Sequence, residues 1–439
     1  MIISVIGCGY LGAVHAASMA SLGHDVIGID VDARRVEKLA RGEAPFFEPG
    51  LDELLTATIA TGRLRFSHDM ADIAAAQVHF LAVGTPQSES GAADLRYVDA
   101  AVAAAIPYLG PGTLLVGKST VPVGTADRLA ALVAPTGAAL AWNPEFLREG
   151  HAIQDTLSPD RIVYGVADGD GTTVGILDAV YADALARGVS RLVTDLRTAE
   201  LVKVAANAFL ATKISFINAM AEIAEKVDAD VVALADAIGR DDRIGRRFLN
   251  AGVGFGGGCL PKDIRGFIAR SEEVGAGEAT AFLREVDRIN LRRRDRIVEL
   301  LAEELGELQG ARIAVLGIAF KPESDDVRDS PAIDVIGRLH AAGADVVATD
   351  PRAIEAARRA HPELVVEYAA TAREAMSDAG AVVLLTEWTE FRELDPVEER
   401  AVVRTPLMID GRNVLDRERW IAAGWRVRAL GRGSGAASR

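Results

Sequence analysis

"MIISVIGCGYLGAVHAASMASLGHDVIGID", residues 1–30, decides the architecture. "IISVIG" is an unbroken apolar run, as expected of a strand buried on both faces, and "GCGYLG" (7–12) is a glycine turn. "AVHAASMASLG" reads as a helix of small residues, and "HDVIGID" as a second strand that ends at Asp30. Together they make a βαβ unit. Further apolar strands follow at 78–86, 113–120, 138–144 and 160–165, separated by Ala-rich helical stretches. Strands alternating with helices predict a mostly parallel, doubly wound α/β sheet to about residue 195.

The glycine turn fits G-x-G-x-x-G, a weak pattern alone, but here it follows a strand, opens a helix and has an acidic residue ending the next strand. Gly7 makes the tight turn, Gly9 lets the backbone approach a pyrophosphate at the helix amino end, and Gly12 lets helix and strand pack closely. Asp30 is suited to accept hydrogen bonds from a ribose hydroxyl and to repel a 2'-phosphate. That selects NAD over NADP, although Arg34 and Arg35 stand nearby.

Downstream, residues 197–235 run without Pro or Gly and with apolar residues every three or four, which predicts a long helix broken near Asp228. A second helical stretch covers 276–308. Helices of this length between two α/β segments predict a homodimer through this region. From 311 the strand pattern returns and the chain partly repeats itself: "SLGHDVIGID" (21–30) is echoed by "AAGADVVATD" (341–350), and "ISVIG" by "IAVLG". The glycine turn is replaced by "IAFKPESDDVRDSP", so the second copy is expected to bind a different ligand. The domain boundaries expected are 1–196, 197–308 and 309–430, with 431–439 a disordered tail.

A chain of 439 residues exceeds one ordinary core. Its net charge of -15 argues against general attraction to nucleic acid or anionic membrane. Two distant cysteines provide neither a disulfide framework nor metal-ligand spacing, which favours a reducing compartment and no metal. With no signal peptide at the amino terminus and no apolar run approaching a membrane span, the cytoplasm is the expected location.

One cysteine lies in "FGGGCLPKD" (255–263). The glycines permit close backbone approach and unusual φ values, and Pro261 with "KDIRGFIAR" predicts a helix starting just after Cys259. A thiol at a helix amino end beside Lys262 should ionise more readily. Other segments offer partners: "STVPVGT" (119–125) brings Thr120, "WNPEFLREG" (142–150) brings Glu145, Arg148 and Glu149, and "ELVKVAANAF" (200–209) sets Lys203 and Asn207 on one helix face.

In order along the chain, "GCGYLG", "STVPVGT", "NPEFLREG", "PDRIVYG", "ELVKVAANAFLATKISFINAMAE", "RIGRRFLNAGVGFGGGCLPKD", "FKPESDDVRDSP" and "DGRN" resemble the UDP-glucose/GDP-mannose dehydrogenase family over nearly the whole length. The resemblance implies two Rossmann-like domains joined by a central helical region. It also implies a four-electron oxidation of a nucleotide sugar, from C6 alcohol to carboxylate, with two NAD used in succession. By the same resemblance Cys259 adds to the intermediate aldehyde and forms a thioester that water hydrolyses. Lys203 and Asn207 stabilise the oxyanion, and Glu145, Thr120 and Asp263 are candidates to hold or activate the water.

For the cofactor the resemblance adds Tyr10, Leu11, Arg35, Thr85, Thr120, Glu149, Lys262 and Arg328 to the glycines and Asp30. For the sugar nucleotide it adds Glu145, Phe146, Leu147, Arg148 and Glu149, then Lys203 and Asn207. Phe248, Leu249, Asn250, Gly252, Gly256, Phe320, Lys321 and Arg412 complete that set, with Arg243 reaching a partner subunit's substrate. Gly258 and Leu260 depart from the family's usual Ser and Phe around the cysteine. Leu260 also occurs in GDP-mannose dehydrogenases, whereas "REG" and "PDRIVYG" point to UDP-glucose. No tyrosine is followed four residues later by lysine, which excludes the short-chain reductase arrangement. A non-catalytic nucleotide-sugar sensor on this scaffold would not need Cys259, Lys203 and Asn207 together.

Overall fold

The computed structural model describes residues 1–88 and 91–433. By its contacts the chain divides into two compact units: Met1–Ala206 with Arg265–Gly277, and Asn207–Ile264 with Glu278–Arg439. The segment expected as a separate central domain, 197–308, is thus shared between them.

The first unit is built on eight strands: β1 Ile2–Ile6, β2 Asp25–Ile29, β3 Leu64–Ser67, β4 Val78–Leu81, β5 Leu114–Gly117, β6 Ala139–Trp142, β7 Arg161–Gly165 and β8 Ser190–Thr194. Their order is β3-β2-β1-β4-β5-β6-β7-β8, parallel except where β7 meets β6 through Trp142 and Gly165. The first six strands follow the doubly wound nucleotide-binding order, whose switch point lies between β1 and β4. Strands β1, β4 and β5 are almost wholly buried because helices cover both faces.

The expected strands 78–86, 113–120 and 138–144 end earlier, at Leu81, Gly117 and Trp142. Their last residues form loops at the sheet's carboxyl edge. The apolar content continues past the true strand ends, so Thr85 and Thr120 lie in these loops and not in strands.

The second unit repeats the pattern with β9 Arg312–Leu316, β10 Asp345–Thr349, β11 Glu367–Tyr368, β12 Ala381–Leu384, β13 Leu407–Asp410 and β14 Arg426–Ala429. All are parallel, in the order β11-β10-β9-β12-β13-β14. A single apolar cluster including Ile313, Val315, Val383, Phe391 and Trp420 fills this sheet's two faces.

The long helix spans Leu196–Val227 and ends at Asp228, whose φ of 56 is left-handed. Asp230 then caps the helix Val231–Ile238 by accepting from the amides of Val232 and Ala233. Among the described residues, Leu196–Val227 is the one helix long and apolar enough to cross a membrane, which corrects the expectation that no stretch approaches that length. It is only partly buried yet carries Glu200, Lys203 and Glu225 in bonded positions, as a core helix of a globular fold does.

The expected tail also needs correction. Gly431 is buried and donates its amide to Glu225 Oε1 at 2.9 Å, while Arg432 pairs with Asp230 at 2.9 Å. Residues 431–433 are therefore part of the fold, and the rest of the expected tail, 434–439, lies outside the described residues.

Candidate active site

In the first unit, the turn after β1 has the shape a pyrophosphate requires. Gly7 has φ 90, and a Cβ there would come within 2.7 Å of Val83 Cγ1. A Cβ on Gly12 would overlap the Gly7 carbonyl, whereas one on Gly9 would meet nothing within 4 Å. The backbone at Gly9 is open at the amino end of the helix Tyr10–Ser21, where an anion is favoured. Asp30, at the end of β2, accepts from Cys8 N at 2.8 Å and Asp32 N at 2.9 Å, and pairs with Arg35 at 2.9 Å. Arg35 is thereby engaged with Asp30, and the carboxylate keeps one acceptor site for a ribose. Cys8 is fully buried, and burial followed by the Asp30 charge pushes its thiol pKa far up, so it is a packing residue.

Two loops at the carboxyl edge complete this side. Thr85 Oγ1 donates to the Thr120 carbonyl at 2.8 Å, and Ser119 Oγ to the Val83 carbonyl at 2.7 Å, which stitches the β4 and β5 loops together. Lys203, 5% exposed, pairs with Glu145 at 2.9 Å. Its Nζ stands 5.5 Å from the centre of the Phe146 ring, whose face also receives Arg161 at 3.9 Å. Glu145 accepts in addition from Leu147 N at 2.7 Å, so the turn around it is fixed. Arg148 is exposed and engaged with Asp155 at 2.6 Å.

Three carboxylates and amines in this unit escaped the sequence reading. Glu48, buried, accepts from Tyr10 Oη and from the amides of Gly150 at 2.6 Å and Ala152 at 2.7 Å, which ties the glycine turn to the loop bearing Glu149. Glu200 accepts from the amides of Gly124 and Ala126, both at 2.6 Å, and holds the turn of "STVPVGT". Burial pushes its pKa up to about 7 against the opposing pull of those two amides. Lys118 sits behind Asn143 and donates to its Oδ1 at 2.9 Å.

In the second unit, Cys259 is exposed at the start of the helix Leu260–Glu273, where the Asp263 amide donates to its carbonyl at 2.8 Å. Asp263, 5% exposed, accepts from Asn207 Nδ2 at 2.6 Å and pairs with Lys262 at 2.8 Å. Asn207 is thus joined to Asp263, one turn after Cys259 on the helix that Cys259 precedes. Lys203 precedes Asn207 by one turn of the long helix.

The glycines before the cysteine have close neighbours. A Cβ on Gly256 would approach Pro331 Cδ at 2.7 Å, and one on Gly257 would meet the Phe320 ring at 2.7 Å. On Gly258 it would overlap the Arg328 guanidinium, so the family's more usual serine would displace that side chain here. Gly257 N donates to the Arg328 carbonyl at 2.9 Å, and Arg328 itself pairs with Asp326 at 2.6 Å.

The 248–252 segment lies against the loop after β13. Phe248 has φ 64, uncommon for a bulky residue. Gly252 N donates to Asn218 Oδ1 at 2.9 Å, and Val253 N to the Gly411 carbonyl at 2.8 Å. Arg246 holds Asn250 Oδ1 at 2.7 Å and the Leu249 carbonyl at 3.1 Å. Phe320 and Lys321 follow β9, at this sheet's switch point, with Lys321 Nζ 5.5 Å from the Phe320 ring centre.

Two expected substrate residues have partners within the chain. Arg412 donates to the carbonyls of Leu385 at 2.6 Å, Gly254 at 2.8 Å and Phe320 at 3.2 Å, and so joins the glycine loop to the sheet. Arg243 is exposed and bound to Asp241 at 2.7 Å.

Three consecutive segments match the domain models of one family: residues 1–185 the "UDP-glucose/GDP-mannose dehydrogenase family, NAD binding domain", 197–292 its central domain and 314–417 its UDP binding domain. A UDP-glucose 6-dehydrogenase of Rhizobium meliloti is 42% identical over 98% of this chain and 100% of that protein. One from Bacillus subtilis, YwqF, is 40% identical over 98% of each. The solved structure of a UDP-glucose dehydrogenase from the archaeon Pyrobaculum islandicum superposes with a TM-score of 0.87 at 40% identity, covering 95% of both chains.

Proposed function

The chain belongs to the UDP-glucose/GDP-mannose dehydrogenase family, and from that premise we propose that it oxidises UDP-glucose at C6 to UDP-glucuronate, working in the cytoplasm as a homodimer. The observation that carries the reading is an exposed Cys259 opening a helix beside the buried Asn207–Asp263 bond, in a chain alike over its full length to UDP-glucose 6-dehydrogenases. Bound NAD supplies the two-electron acceptor, needed twice per turnover.

The chain's own residues do the rest. Cys259 Sγ bonds to the C6 aldehyde carbon and its proton passes to the oxygen, which gives a thiohemiacetal. Loss of the C6 hydride to the acceptor and of the hydroxyl proton leaves a thioester, and water cleaves the C–S bond to return the thiol and release the carboxylate. Lys203 and Asn207 donate to the oxygen on which negative charge develops. Glu145, Thr120 and Asp263 are the groups for holding and deprotonating the water, with Glu145 and Asp263 each already fixed by a bonded cation or amide.

Gly7, Gly9, Gly12 and Asp30 support NAD, and Thr85, Thr120, Arg35, Lys262 and Arg328 are its further neighbours in this reading. The 145–149 and 248–252 segments, Gly256, Phe320, Lys321 and Arg412 are assigned to the sugar nucleotide. Leu260 favours a second reading, in which GDP-mannose or another nucleotide sugar takes the place of UDP-glucose.

NADH formation on UDP-glucose and GDP-mannose, with wild type and Cys259→Ser, tests the proposal. Two NADH per UDP-glucose in wild type are expected, with the serine variant releasing no acid. NADH from GDP-mannose alone would overturn the substrate, and a serine variant of unchanged rate would overturn the covalent route.

A further inference from the structure

The backbone before Cys259 has few side chains of its own to hold it. Gly254 has φ 97 and Gly257 φ 84, conformations that fix nothing unless something outside the loop does. Two residues of the helix Ala281–Leu305, one turn apart, supply that hold. Asn290, 0% exposed, pairs with both backbone groups of Phe255: its Oδ1 accepts from Phe255 N at 2.7 Å, and its Nδ2 donates to the Phe255 carbonyl at 2.9 Å. A side-chain amide in this position satisfies the loop as a neighbouring strand would. A Cβ on Gly254 would overlap Asn290 Oδ1, so the missing side chain at Gly254 makes room for Asn290.

Arg294, 3% exposed, reaches the same carbonyl from the next turn. Its Nη2 lies 3.4 Å from the Phe255 oxygen, 3.4 Å from the Asp329 carbonyl and 3.1 Å from Asp329 Oδ1, and its Nη1 lies 3.1 Å from Asp334 Oδ2. The planar fork thereby fastens the glycine loop to Asp329, whose φ of 47 needs such support.

The geometry points to Asn290 and Arg294 as positioning residues for the Cys259 thiol: they clamp the 254–258 backbone from outside and so place the sulfur at the amino end of its helix. This rests on the reading of Cys259 as the nucleophile, but the clamp is observable without any substrate. Cys8 is buried and Cys259 exposed, so alkylation of the native protein by iodoacetamide reports Cys259 alone.

Asn290→Ala and Arg294→Lys, which keeps the charge but loses the fork, are compared with wild type for alkylation rate, kcat and KM. The alkylation rate is expected to fall about threefold or more as the thiol leaves the favourable helix end. kcat should fall about tenfold, with KM for NAD within about twofold and KM for the nucleotide sugar, to which Gly256 of the same loop is assigned, rising by less than kcat falls. Should Asn290→Ala fail to fold, Arg294→Lys decides. Alkylation and kcat unchanged in folded Arg294→Lys, or KM rising while kcat holds, would overturn the proposal. Wild-type inactivity on every nucleotide sugar together with altered alkylation in the variants would instead sink the substrate reading and leave the clamp standing.

Discussion

Asp30 and Asp350 follow corresponding strands of the two sheets, yet their carboxylates serve different ends. Asp30 bonds two amides and Arg35 beside an open glycine turn. Asp350 accepts from the amides of Ile318, Ala319, Arg352 and Ala353 and from Trp388 Nε1, so its carboxylate is spent on the loops after β9, β10 and β12. Lys118 is a further residue whose role is set by surroundings. Its bonded partners, Asn143 and Tyr181, are uncharged. Burial pushes its pKa down from 10.5 to about 8, with Glu145 pulling back up. Between those two values the unfolded chain holds a proton that the folded one has shed, so stability rises with pH across that window, by at most about 1.4 kcal/mol per unit. Lys118→Met loses this gain. The stability difference, Met variant minus wild type, is expected to be largest below pH 8 and to shrink towards pH 10, read from urea unfolding at several pH values. A constant difference would refute the assignment. At this scale the sequence exposed Cys259, Asp30 and the glycines, whose types and local spacing carry meaning. Glu48, Glu200, Asn290 and Arg294 stayed hidden because their partners are distant in the chain and nothing local marks an interior Asn or Arg as bonded.

The long helix was legible as an element, including its break, because apolar periodicity and an Asp suited to left-handed φ are both local signals. Strand ends were less so, since β-branched and small residues continue into the loops of the carboxyl edge. One face of this helix remains uncovered: Phe209, Phe216 and Ile223, seven residues apart, are 66%, 48% and 55% exposed. A stripe of that size on a helix is costly in water and supports the proposed homodimer. Phe216→Asp is expected to shift the protein from dimer to monomer in sedimentation velocity. A wild type that sediments as a monomer would remove the dimer from the proposal.

For the whole molecule, the internal repeat was readable from two matching strand-ending segments, and the second sheet does repeat the order of the first six strands of the other. The division into two compact units was not, because contacts, and not the change of periodicity near residue 197, set where it falls. Each unit has its own buried clusters. Calorimetry is therefore expected to resolve two unfolding components, with NAD raising the midpoint of one and UDP that of the other. One transition moved equally by either ligand would mean that the units unfold together.

The last described residues bear on handling the protein. Gly431 meets Glu225, and Arg432 meets Asp230, which also caps a helix. A chain cut at 430 would leave two carboxylates short of partners and loosen the Asp228 bend that Gly433 packs against. An affinity tag at this end therefore belongs beyond Gly433 and behind a spacer, where it leaves the knot between the carboxyl end and the long helix untouched.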